Sequence, residues 1–189
     1  MKSASTGAVV QGINASLVLA AGGVNSLHDH IERLAGHQVN KTITLDANNA
    51  TASENIFQIT GGVQVFRLWA EIVDATTLAN LTAASFDLYD SAAAVQITAP
   101  TGVLSGFGVG TILIKDALLA QPFDVADNAN GIVLEAGVNR LFTGFAVVQK
   151  TGANTYIRFT YTTTDAPIDA AIKVYCEYRP LNSGTLVAV

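Results

Sequence analysis

The chain has 189 residues, half of them hydrophobic and only 13% charged, with a formal charge of -5. Its 10 basic residues are scattered singly, which leaves no electrostatic footprint for a phosphate backbone and sets nucleic acid aside as a partner. No uninterrupted apolar run approaches the roughly 18 residues of a membrane span, and one cysteine excludes an intrachain disulfide.

A soluble domain usually carries about 25% charged residues, so part of the apolar surface is expected to be covered by other chains. The composition therefore points to an assembly. The length suits one body of ordinary size with an extension.

Residues 1–39 read as an N-terminal arm followed by a short helix. The stretch from Gly7 to Gly22 has the apolar residues of a signal-peptide core, but Gln11, Gly12, Asn14 and Ser16 interrupt it. It reads instead as an arm that becomes ordered against something else. A helix is expected from about Ser26 to Ala35: Ser26 and Asp29 resemble a capping box, Leu27, Ile31 and Leu34 form one stripe, Arg33 lies in the last turn, and Gly36 can end it. Val9, Val10, Ile13, Leu17 and Leu19 in the arm, with Leu27, Ile31 and Leu34 on the helix, are the candidate contacts of an assembly element.

From Asn40 onward a period of two dominates, and residues 40–189 are expected to form a β-sandwich body. Ile43 and Leu45 alternate with Thr42 and Thr44, and Phe57 and Ile59 flank Gln58 before the Gly61-Gly62 break. Phe66, Leu68, Ala70 and Ile72 are expected to share the inner face of a long strand, leaving Val63, Val65, Arg67, Trp69, Glu71 and Val73 on the opposite face. Further strands are expected at Ser85–Tyr89, Ala94–Thr98, Thr111–Ile114, Ile132–Glu135, Phe145–Val148, Thr155–Tyr161, Ala171–Tyr178 and Thr185–Val189. In the clearest of them Ile172, Val174, Cys176 and Tyr178 oppose Lys173, Tyr175, Glu177 and Arg179. Roughly ten short strands without a βαβ rhythm imply a mainly β fold, an antiparallel sandwich of jelly-roll type.

Catalytic and metal-binding patterns are incomplete. His28, His30 and His37 cluster with Asp29 and Glu32, but His28 and His30 are two apart on a helix and face different ways, so no metal is assigned. Asp124, Asp127, Asn128 and Asn130 do not match a calcium loop, and the glycines from Gly106 to Gly110 lack the Lys-Ser/Thr of a phosphate loop. Cys176 belongs to an inward face, where a thiol acts as a small hydrophobe. Asp87 and Asp90 suit strand or turn positions better than a glycosidase pair, and no G-x-S-x-G elbow is present. The expectation is a protein that is not an enzyme and needs no cofactor.

The face carrying Arg67, Trp69 and Glu71 is the interface candidate of the body, because it places the only tryptophan between opposite charges at same-face spacing. Asn55-Ile56-Phe57-Gln58-Ile59-Thr60-Gly61-Gly62-Val63-Gln64-Val65, a glycine-hinged strand pair, leads the body, which closes on Tyr175-Cys176-Glu177-Tyr178-Arg179-Pro180-Leu181. Over about Asn40 to Val189 this pattern resembles structural proteins of tailed bacteriophages, especially small capsid-associated cement or decoration proteins. The resemblance implies a virion protein of the outer capsid surface that binds the major capsid protein and bridges coat subunits. It also implies a homo-oligomer, with a trimer favoured over a dimer because local threefold positions are common anchoring sites. The alternative is a tail or head-surface module that binds a receptor or carbohydrate, since jelly rolls also serve lectins.

Overall fold

The computed structural model describes residues 36–102, 104, 106–115, 122, 124–126, 144–164, 168–181 and 183–189. The chain divides into two units, Met1–His37 and Gln38–Val189. All but residues 36 and 37 of the first lie outside the described residues. So do the expected helix at Ser26–Ala35, the arm and helix contacts, and the expected strand at Ile132–Glu135. Among the described residues no helix is long and apolar enough to cross a membrane.

The described part of the second unit is a β-sandwich of two antiparallel sheets. In chain order its strands are β1 (His37–Leu45), β2 (Thr51–Thr60), β3 (Gly62–Asp74), β4 (Leu81–Tyr89), β5 (Ala94–Gln96), β6 (Ile112–Ile114), β7 (Asp124–Ala126), β8 (Phe145–Val148), β9 (Thr155–Thr163), β10 (Ala170–Pro180) and β11 (Thr185–Ala188). One 3₁₀ turn, Leu78–Asn80, precedes β4. The first sheet runs β1-β10-β3-β6-β7, with β8 also on β3; the second runs β11-β2-β9-β4-β5. Most expected strands are present, with shifted ends: β1 begins at His37 rather than Asn40, and β5 ends at Gln96.

The alternation written in the sequence becomes the core. Ile172, Val174, Cys176 and Tyr178 of β10 and Ile157, Phe159 and Tyr161 of β9 are buried, and each set alternates with partly exposed neighbours. Phe86 meets Phe159 edge-on at 5.4 Å between centroids, a favoured ring geometry in the middle of the second sheet's inner face.

Two departures from the expected pattern have physical causes. The strands around Gly61 do not pair with each other: β2 belongs to the second sheet and β3 to the first. Gly61, at φ 62, turns the chain between layers in a conformation that side chains resist. The expected inner face of β3 holds for Leu68, Ala70 and Ile72 but not for the residues before them. Tyr178 pairs with Val65 but Glu177 pairs with Arg67, so Phe66 is an extra residue, a β-bulge. Before it Val63 and Val65 are fully buried; after it Leu68, Ala70 and Ile72 are. Phe66 is only partly buried and sits on the outer side, where the Arg179 guanidinium lies 5.4 Å from its ring centre.

A similar slip occurs in β2 between Asn55 and Phe57. Beside it, Lys41 of β1 donates from Nζ to the Asn55 carbonyl oxygen at 2.9 Å.

Candidate functional site

The bulge at Phe66 coincides with a change of neighbour along β3. Residues 62–65 pair with β8, whereas Trp69, Ala70 and Glu71 pair with Ile114, Leu113 and Ile112 of β6. Two short strands therefore share one edge of β3, and the bulge lies at their junction. β8 begins where Gly144, at φ 81, comes so close to β3 that an added Cβ would run into the Val65 carbonyl oxygen.

On the outer side of this junction lies a groove of about 520 Å³. β3 contributes Phe66, Arg67 and Trp69, β6 contributes Ile112 and Ile114 with Lys115 following, and β10 contributes Glu177. The bulge aims Phe66 and Arg67 outward in succession, which an unbroken strand could not do.

Trp69 is held by its cross-strand neighbour. Its ring lies parallel to that of Tyr175, 6° between planes and 5.0 Å between centroids. The Tyr175 hydroxyl donates to Glu71 Oε2 at 3.1 Å, and Lys173 Nζ stands 5.0 Å from the Tyr175 ring centre. Arg67 and Glu177 form an ion pair at 3.7 Å, with the arginine side chain 74% exposed and the carboxylate side chain 35% exposed. An exposed pair of this length contributes little to stability, so both groups retain hydrogen-bonding capacity toward solvent.

Of the interface residues expected from sequence, the structure brings Arg67, Trp69 and Glu71 onto one outer face. Arg67 and Trp69 line the groove, while Glu71 buttresses it through Tyr175. The expected companions Val63 and Val65 are instead in the core. Reading the sequence missed Phe66, Ile112, Ile114, Lys115 and Glu177 as groove residues. Only the change of hydrophobic phase between Val65 and Leu68 could have pointed to the bulge.

The opposite outer face has another character. On the second sheet Thr51 pairs hydroxyl to hydroxyl with Thr162 at 2.9 Å, Ser53 with Thr160 at 3.0 Å, and Thr60 with Thr185 at 2.6 Å. Thr160 also donates to Asp87 at 2.6 Å, and Arg158 stands 3.7 Å from the same carboxylate and 4.3 Å from the centre of the Tyr89 ring. Asp90 caps the turn after β4, accepting from the backbone N–H groups of Ala92 and Ala93 and from Lys150 Nζ. The two carboxylates weighed as an acid pair are thus each engaged in holding a strand or a turn.

Among the described residues no group of three or more His, Cys, Asp or Glu side chains converges as a metal site. The histidines at 28 and 30 and the residues Asp127, Asn128 and Asn130 lie outside them. The sequence matches no model of a known protein family and no curated protein.

Proposed function

We propose that the protein is a non-enzymatic virion structural protein: a cement or decoration protein that binds the outer capsid lattice of a tailed bacteriophage and bridges neighbouring subunits of the major capsid protein. The observation that carries this reading is the outer face of the second sheet. Five strands wide, it presents Thr, Ser, Asn, Gln and Tyr side chains with Arg158 and Asp87 paired within it. Depletion of charge and enrichment in tyrosine mark the centres of protein interfaces. The hydroxyl pairs hold side chains that would otherwise lose freedom on docking, which lowers the entropic cost of contact.

The strand order supports the same reading. One layer holds the order β1-β10-β3-β6 and the other β2-β9-β4-β5, and the chain crosses between layers at seven of the ten connections between the described strands. We read this as a jelly roll, an architecture shared by viral capsid and lectin domains. Fold alone does not choose between them. The resemblance carried by Asn55–Val65 and Tyr175–Leu181 favours the virion. Many copies on a symmetric shell make weak contacts effective through avidity, and a protein that binds only the assembled lattice stabilises it by mass action.

The test is electron microscopy of particles prepared with and without the protein. Ordered density on the outer surface, lost from particles lacking it, is the expected result; identical surfaces would refute the proposal. Sedimentation equilibrium is expected to give a homo-oligomer, a trimer ahead of a dimer.

A further inference from the structure

We infer that the groove at the β3 bulge binds a glycan, taking the apolar face of a pyranose ring against Phe66 and Trp69 and hydroxyls between Arg67 and Glu177. This activity goes beyond attachment to a shell and stands on different residues, so either function can fail without the other.

The lining carries the argument. A pyranose has an apolar C–H face and a rim of hydroxyls, each both donor and acceptor. The groove matches both halves. Phe66, Trp69 and the two isoleucines of β6 provide apolar surface. Trp69 is fixed in orientation by its parallel stack on Tyr175, itself tied to Glu71. Little rotamer freedom is left to lose when a ring docks against it.

Arg67 and Glu177 provide the polar half. A guanidinium donates only and a carboxylate accepts only, so two charges 3.7 Å apart offer complementary partners to adjacent hydroxyls. A volume of about 520 Å³ lies within the roughly 300–1,000 Å³ of small-molecule sites.

Trp69 is the chain's single tryptophan, so its fluorescence reports on this groove alone. The experiment titrates the intact protein with cellotriose, triacetylchitotriose and lactose, following emission and heat. A saturable emission change with at least one sugar is expected. Arg67→Ala and Glu177→Gln should each weaken that binding about tenfold, the effect of a lost charged hydrogen bond. Trp69→Phe, which keeps an aromatic ring beside Tyr175, should weaken it by calorimetry while far-ultraviolet circular dichroism stays unchanged.

No saturable change with any of the three sugars overturns the inference. So does binding that survives both Arg67→Ala and Glu177→Gln, which would put the sugar elsewhere. An emission change on attachment to capsids, with none on adding sugar, would assign the groove to coat protein and overturn it as well.

Discussion

Single residues show how little slack the sandwich has. Cys176 is fully buried, and desolvation, helped by the neighbouring Glu177 charge, pushes its thiol far above the ordinary range. It therefore behaves as a packing group. Cys176→Ala should fold and lose about 1 kcal/mol of stability, and a thiol reagent should label the native protein slowly and the denatured protein fast. Gly144 is less forgiving, because its positive φ disfavours a side chain and the atom in the way is a strand carbonyl that cannot swing aside. Gly144→Ala should cost on the order of 2–4 kcal/mol, read as a shift of the denaturant midpoint. Asp90 gives a pH signature. The hydrogen bond from Lys150, followed by those from the Ala93 and Ala92 N–H groups, lowers its carboxyl from 3.8 to about 2. A carboxyl lowered on folding stabilises the native state above its unfolded value, and that contribution fades as pH falls through the folded one. The difference in melting temperature between the wild type and Asp90→Asn should therefore be full above about pH 4 and shrink toward pH 2.

Strands were legible in the sequence because half-buried β-structure writes its own period, which β9 follows over its whole length and β10 from Ala170 to Arg179. β3 was legible as a strand but not as a face. Val63 and Val65 keep one phase and Leu68, Ala70 and Ile72 keep the other, and a single phase imposed on both halves turns the first inside out. The candidate face was half legible for the same reason. Arg67, Trp69 and Glu71 lie beyond the slip and were placed on the correct side, whereas Tyr175, Glu177 and Ile114 join them only through pairings between distant segments, which no local pattern encodes. The bulge makes a sharp prediction. Deleting Phe66 takes out the extra residue and leaves Val63, Val65, Leu68, Ala70 and Ile72 in one uninterrupted alternation, all facing the core. The deletion should therefore keep a cooperative unfolding transition, as should Phe66→Ala, which keeps the bulge. Denaturant titration of the two variants checks this: loss of cooperativity in the deletion alone would show that the bulge itself is needed for β3 to fit between its neighbours.

At the scale of the molecule, the two outer faces are proposed to serve different partners: a broad, hydroxyl-rich sheet for protein contact and a charged, aromatic groove for a small ligand. Residues 1–36 are proposed to act in assembly, and the compact unit Gln38–Val189 is expected to fold without them. Deleting residues 1–36 should preserve the β-type circular dichroism and cooperative melting of the body while reducing oligomerisation in sedimentation; a truncated body that fails to fold would make the deleted segment part of its core. The strand order has a further consequence, for biosynthesis. β9 lies between β2 and β4 in one sheet and β10 between β1 and β3 in the other, so the strand that joins the halves of each layer comes from the last part of the chain. While the polypeptide is being made, its earlier strands have no central partner, and their open edges are exposed to other nascent chains. The body is then expected to complete its sheets only after residues 155–180 have left the ribosome, and a chain truncated before that point to hold strand groups such as β8-β3-β6-β7 and β4-β5 without the strands that join them.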